Sequence, residues 1–442
     1  MMCRWWRLGL SLCLVFCGEL APTGATAASP HLEAAPKSRR DRARSNDLAW
    51  IDGDRTGDRP TPPGFSKEGA PANATPKISG ALARDRQFDA PSAQGTATAG
   101  PEAPRMTLPG EFERQAAIVL GCGQLATFAP ETLAEVVASL QGQAPVIALA
   151  PDAKCRQEVL RALHKRRLSP DAVQFVAVRH DTMWARDYGP LLVRQADGSP
   201  ALVDANYAEF QRHQDDAVPR VLAGRFEIPA FEAPLSIEGG NLLSNGRGLC
   251  LTTQKTLTHN VENGATEADV RAALREYYGA EQAVFLEPLH GEGTGHVDMF
   301  ACFVAADTVV VGKYDPQFDP KNAAVLDRNA ETLAGLKTAA GALKVERVPM
   351  PSNEDGVWRS YTNIVFANGV VLMPTYDRDE AGRAEALAVY RRLLPERKVT
   401  PIDASSIITM GGALHCLSLN LTAVESPKPL AGPSEASAAR TA

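Results

Sequence analysis

The run Gly411-Gly412-Ala413-Leu414-His415-Cys416 presents one thiol shortly after two glycines. A thiolate is a strong nucleophile, and glycine lets backbone approach a bound group closely. A nucleophile of this kind needs an acid and base, a partner that orients that base, and groups that hold the carbon under attack. Three earlier clusters carry the residue types required: Trp184-Ala185-Arg186-Asp187, Glu238-Gly239-Gly240-Asn241 and Gly293-Thr294-Gly295-His296-Val297-Asp298. The chemistry expected of them together is attack by the Cys416 sulfur on a carbon of a cationic group gripped by carboxylates.

Each cluster admits a local reading. His296 and Asp298 stand two apart at the head of an apolar run, so on a strand both side chains would enter one cleft while Val297 and Met299 face the other layer. The bland alternative is a His-Asp pair at a strand end, satisfied by solvent. Over residues 414–419, alternation would place Leu414, Cys416 and Ser418 on one face and His415, Leu417 and Leu419 on the other. His415 is then expected to point away from the thiol, which makes His296 the expected acid and base; a buried, inert cysteine is the alternative for Cys416. Trp184 offers an aromatic face for a cation or alkyl chain, and Asp187 an anion three residues on. Arg186 reads as a structural ion pair. Glu238, before two glycines, either orients an imidazole and raises its basicity or is a turn residue.

The elements that must position these residues alternate between short β-rich runs and helical patterns. Strands are expected at residues 116–120, 146–149, 173–178, 191–193, near Leu242, and at 249–252, 284–286, 299–304, 309–311, 364–366 and 370–373. Apolar residues recur at helical spacing over 131–140, 155–167, 267–278, 322–339 and 380–394. No linker-like break interrupts residues 106–424, which therefore read as a single α/β catalytic domain. No exact repeat is visible, though a degenerate one is compatible with the pattern.

Outside that domain the composition changes. Residues 1–27 read as a signal peptide: a basic start, an apolar run from Leu8 to Cys17 too short to span a membrane, and Ala25-Thr26-Ala27 as a cleavage site. Residues 28–105 contain no valine and read as a disordered leader or linker, as does the tail at 425–442. Periplasmic or secreted localisation follows as the expectation. Removal of the signal would leave Cys122, Cys155, Cys250, Cys302 and Cys416, an odd number, so at least one thiol should stay free. The net charge of −6 argues against nucleic acid as a partner, and no stretch has the length of a membrane span.

Taken in order, 184–190, 238–241, 296–298 and 411–416 resemble the signature of the agmatine deiminase and bacterial peptidylarginine deiminase family, within the guanidine-modifying pentein superfamily. The similarity extends over most of residues 106–424, including Leu108-Pro109-Gly110-Glu111-Phe112 and Tyr361-Thr362-Asn363. The resemblance implies a pentein-type α/β propeller of five ββαβ-like units around a central site. It also implies Cys416 as nucleophile, His296 as acid and base, Asp187 and Asp298 as the carboxylates gripping a guanidinium, and Glu238 as the residue orienting the histidine. Trp184 and Asn363 match substrate-contact positions, and Arg212 falls where secreted peptide deiminases carry basic residues for a peptide carboxylate. Neither metal nor organic cofactor is implied.

The substrate expected is a small guanidine or an arginine-containing peptide or protein. The export signal favours peptidyl-arginine converted to peptidyl-citrulline; agmatine converted to N-carbamoylputrescine is the alternative, because 209–213 depart from a doubly basic pattern. An amidinotransferase, a cysteine protease, a guanidine-binding protein and a zinc site built from His296, Asp298, His415 and Cys416 are further alternatives.

Overall fold

The computed structural model describes residues 106–209, 211–338 and 341–424. The signal peptide, leader and tail read from the sequence lie outside the described residues.

One strand arrangement recurs five times among the described residues. In the first full instance β4 (Leu191–Arg194) and β5 (Pro200–Asn206) pair antiparallel, and helix Val218–Phe226 then carries the chain to β6 (Ala230–Ser236), parallel to β5. The same order returns in β7 (Leu243–Ser244), β8 (Leu249–Thr253) and β9 (Gln282–Leu286), with helices Gln254–Glu262 and Glu267–Tyr278 in the crossover. It returns again in β10 (Ala301–Ala305), β11 (Thr308–Lys313) and, after helix Pro320–Ala334 and a small hairpin of β12 (Lys337–Thr338) and β13 (Gly341–Ala342), β14 (Lys344–Pro349). The fourth instance is β15 (Val365–Phe366), β16 (Val370–Thr375), helix Glu380–Leu393 and β17 (Lys398–Asp403). The fifth joins the two ends of the domain: β18 (Ser418–Thr422) pairs antiparallel with β1 (Gln115–Gly121), which runs parallel to β2 (Val146–Ala150), with β3 (Gln174–Ala177) added at the edge.

Local chemistry explains these elements. All five residues of β2, Val-Ile-Ala-Leu-Ala, are buried, as a parallel strand covered on both faces requires. Helix Glu267–Tyr278 begins at a capping box in which Thr266 and Asp269 exchange side-chain and backbone bonds. It ends at Gly279, whose φ of 67° suits a residue without a side chain. Helix Pro320–Ala334 starts with the Asp319 carboxylate accepting from the Asn322 N–H and with proline in its first turn, where a missing N–H costs nothing.

The functional clusters occupy equivalent places in the repeat: each lies in the segment leading into the first strand of a unit. Asp187 belongs to the short turn Ala185–Tyr188 before β4, Glu238 and Gly240 to the turn before β7, His296 and Asp298 to Val297–Met299 and its cap before β10, Asn363 directly before β15, and Cys416 to Leu414–Leu417 before β18. These turns pack on one another, Ala185–Tyr188 against Gly239–Asn241 and Leu414–Leu417, and Gly239–Asn241 against Val297–Met299. The internal repeat thus delivers one set of side chains per unit to a shared centre.

Two expectations need correction here. His296 and Asp298 are not i and i+2 of a strand: His296 caps the helical turn Val297–Met299, and the strand starts at Ala301. Leu414–Leu417 is likewise a helical turn, so strand alternation does not apply and His415 does not face away from the site. The Cys122, Cys155, Cys250, Cys302 and Cys416 thiols are all free and buried. No helix among the described residues is long and apolar enough to cross a membrane.

Candidate active site

Gly240 lies at the middle of the site. A methyl group built on it would meet Asp187 Oδ1 at 2.7 Å, His296 Nδ1 at 2.8 Å and Asp298 Oδ2 at 3.1 Å, so only glycine lets these three groups converge. The Gly240 N–H donates to Asp187 Oδ1 at 3.2 Å, and His296 Nδ1 stands 3.6 Å from the same oxygen. His296 Nε2 bonds Glu238 Oε2, and Lys255 Nζ donates to that oxygen at 3.4 Å.

On the opposite side, Cys416 Sγ lies 3.8 Å from Asp298 Oδ2 and 3.4 Å from Asn363 Nδ2. Asn363 Nδ2 also donates to Asp298 Oδ2 at 3.1 Å, while Asn363 Oδ1 accepts the His415 N–H at 2.9 Å. Asn363 therefore ties the thiol's turn to the carboxylate. Trp184 forms part of the wall, since a methyl on Gly412 would meet its ring at 2.7 Å and the Cys416 Cβ at 3.0 Å. Asp298 Oδ1 is buried and has no hydrogen-bond partner, although an ionised carboxylate oxygen out of water demands one. A donor-bearing cation is the complement of that atom.

The electrostatics follow from burial and from who faces whom. Burial alone would lower the His296 pKa, but the charges of Glu238 and Asp187 outweigh it and raise the pKa to about 9. Burial would raise Glu238, yet the His296 and Lys255 cations hold it at about 2. Asp187 is raised to about 7, chiefly by burial and further by Glu238 and Asp298, against the pull of His296. Burial, then the charges of Asp298 and Asp187, push the Cys416 thiol well above its ordinary value. The site at neutral pH therefore pairs an imidazolium with an un-ionised thiol.

Burial raises the other cysteines too: Cys155, Cys250 and Cys302 to about 12, and Cys122 well above the usual range. Their sulfurs meet ordinary packing partners, such as the Leu120 carbonyl for Cys122 and the Tyr390 hydroxyl for Cys302. Cys416 differs in standing beside carboxylates that a bound cation would neutralise, which would remove the charges opposing its ionisation.

Most residues singled out from the sequence are thus adjacent: Cys416, Asp298, Asn363, His296, Asp187, Glu238 and Trp184. Arg212 occupies the flank, where its Nη1 donates to the Tyr207 hydroxyl at 2.7 Å. Tyr207 itself feels the charges of Asp187 and Glu238. Arg186 is the structural ion pair expected of it, fully buried and bonded to Glu111, with Nη2 donating to Asn420 Oδ1 at 2.8 Å. Glu111, Lys255 and Gly240 are not assigned individual roles from sequence. Glu111 sat inside the family-like stretch 108–112, and Gly240 in the double glycine; Lys255 carried no signal. Among the described residues, no group of three or more His, Cys, Asp or Glu side chains is arranged to hold a metal ion.

Residues 107–421 match the family model described as Porphyromonas-type peptidyl-arginine deiminase. The agmatine deiminase of Pseudomonas aeruginosa is 28% identical over 293 residues, which cover 57% of this chain and 78% of the relative. The solved structure of the agmatine deiminase of Enterococcus faecalis superposes with a TM-score of 0.63 at 22% identity, covering 72% of this chain and 96% of that one. The C. jejuni agmatine deiminase structure gives a TM-score of 0.63 at 20% identity, covering 74% and 98%. At such identities these structures speak for the fold, which is the pentein-type α/β architecture of five ββαβ-like units. By the family match over residues 107–421, the chain belongs to the Porphyromonas-type peptidyl-arginine deiminase family.

Proposed function

We propose that this protein is a hydrolase that deiminates a guanidino group, with agmatine as substrate and N-carbamoylputrescine and ammonia as products. The observation that carries the reading is the Cys416 thiol 3.8 Å from Asp298, whose second, buried oxygen has no partner. A guanidinium is planar and permanently charged, with donors set in a fork, so Asp298 and Asp187 can hold it and fix its carbon before sulfur. The curated relative from Pseudomonas aeruginosa and the two solved structures are named agmatine deiminases, which favours agmatine over the peptidyl-arginine reading that the export signal put first. Arg212, the residue proposed for a peptide carboxylate, already spends a donor on Tyr207.

Binding of the cation offsets the Asp187 and Asp298 charges, and the Cys416 thiol loses its proton to solvent. The thiolate adds to the guanidinium carbon, giving a tetrahedral adduct. Imidazolium His296, oriented by Glu238, gives its proton to a departing amino group, and ammonia leaves a thiouronium on Cys416. Neutral His296 then takes a proton from water as the oxygen adds to that carbon. Collapse breaks the carbon–sulfur bond and releases the ureido product, and the proton of the adduct hydroxyl returns the Cys416 thiolate to the thiol. Acid-quenching the enzyme during turnover and weighing the intact chain should reveal an adduct with the mass of agmatine less ammonia, absent from Cys416→Ala. An unmodified chain at every quench time, with product still forming, would remove the covalent route.

Gly240→Ala tests the convergence. The added methyl must displace Asp187, His296 or Asp298, so kcat/KM for agmatine is expected to fall about 10²-fold, the scale of a 1 Å misplacement. Thermal unfolding should move little by comparison, and unchanged kinetics would contradict the placement.

Export is part of the proposal as well. Its support is the basic start, short apolar run and Ala25-Thr26-Ala27 site. N-terminal sequencing of the protein from a periplasmic or culture fraction should begin at Ala28; an intact Met1 in the cytoplasm would contradict it.

A further inference from the structure

The deimination scheme leaves His415 unused, although it is buried against the site. Its Nδ1 lies 2.8 Å from Asp298 Oδ2 and its Nε2 lies 2.8 Å from Glu111 Oε2. Both partners are acceptors when ionised. A neutral ring has a single N–H and would turn a lone pair toward one of them, so the geometry calls for a ring that donates from both nitrogens. The electrostatics agree: burial and the Arg186 charge lower the His415 pKa, and Glu111 together with the bonds to both carboxylates raises it overall. The other Glu111 oxygen pairs with Arg186, whose Nε reaches back to the His415 carbonyl at 3.5 Å.

Charges therefore alternate along a buried row: Arg186, Glu111, His415, Asp298. The row ends at Asp298 Oδ2, which also stands 3.8 Å from Cys416 Sγ, while Oδ1 is buried without a partner. We infer that His415, clamped by Glu111, is the positioning residue of Asp298: its bond to Oδ2, the oxygen that also faces Cys416 and Gly240, fixes the orientation of the carboxylate that receives the substrate guanidinium. This inference rests on the guanidino reading of the site and adds a residue to it. A bond to an ionised group is shorter and more directional than a neutral one, so the row fixes the plane of the Asp298 carboxylate. It also explains why a histidine directly beside the nucleophile takes no part in proton transfer: both of its nitrogens are already committed.

The test compares His415→Leu, which removes the donor, with His415→Asn, whose side-chain amide nitrogen can stand near the place of Nδ1. KM for agmatine is expected to rise about 10- to 100-fold in His415→Leu, the scale of a lost bond to a charged group, and to recover most of that in His415→Asn. Calorimetric agmatine binding in the Cys416→Ala background should show the same order in Kd. A merely structural role would lower kcat with the folded fraction and leave KM and Kd alone. KM and Kd within about twofold of the parent in His415→Leu, or His415→Asn binding no better than His415→Leu, would overturn the inference. The binding arm separates two failures: agmatine bound but not turned over by the unsubstituted enzyme counts against deimination, whereas equal Kd across the His415 variants counts against positioning.

Discussion

Cys416→Ala is expected to lower kcat on agmatine by at least about 10⁴-fold, the scale seen when a nucleophile is removed from an intact site. The loss should be confined to chemistry. Asp187 and Asp298, the carboxylates proposed to hold the cation, are undisturbed by removing one sulfur, and Asn363 still ties the 414–417 turn to Asp298 through its bond from the His415 N–H. Agmatine should therefore bind the variant, and calorimetry on it should give an ordinary saturable isotherm. Residual turnover well above about one part in 10⁴ would mean that another group performs the attack.

His296→Asn carries the second large effect, a fall in kcat of about 10²- to 10⁴-fold. In the proposed scheme one imidazole serves both half-reactions, giving a proton to the departing ammonia and taking one from water, so nothing left in the site replaces it. The pH profile adds a sharper signature. His296 keeps its proton up to about pH 9 and the Cys416 thiol keeps its own further still. Below pH 9 the prevailing free enzyme holds both protons, while the productive form, thiolate with imidazolium, holds one fewer. On that account kcat/KM should climb about tenfold per pH unit from neutrality toward pH 9 and then level, because beyond His296 the prevailing and productive forms carry equal numbers of protons. The inflection near pH 9 should vanish in His296→Asn. A profile flat between pH 6.5 and 8 in the parent would contradict this pairing of ionisations.

The sequence made the α/β class and most of the site legible, for identifiable reasons. Helix Glu267–Tyr278 was readable to the residue because its capping box, apolar spacing and Gly279 stop all agree. The parallel third strands β6, β14 and β17 were missed: each lies at a sheet edge and carries polar or proline residues, as in Phe-Glu-Ala-Pro-Leu for β6 and Val-Thr-Pro-Ile for β17. Such strands are held by ladder bonds and by the helices packed on them, which single-strand composition does not report. Without the third strands, the repeat stayed invisible. Its functional positions also differ in residue type from unit to unit, Asp187, Glu238, His296, Asn363 and Cys416, so structural equivalence leaves no sequence echo.

The error over His415 has a related cause. Residues 414–419 alternate as a strand would, but the first four close a helical turn whose backbone is fixed by Asn363 and Arg186 from other units. Tertiary contacts override a six-residue pattern easily. Glu111 escaped assignment because its partners, Arg186 and His415, are remote in sequence and meet it only when β18 closes onto β1.

The most direct test of the account is ammonia release by the purified chain offered agmatine, free arginine and arginine-containing peptides side by side, with Cys416→Ala as control. The account predicts ammonia and N-carbamoylputrescine from agmatine, little from the others, and none from the variant. Citrulline formed in peptides with agmatine untouched would contradict the agmatine assignment and restore peptidyl-arginine, and no ammonia from any guanidine between pH 7 and 10 would contradict deimination itself.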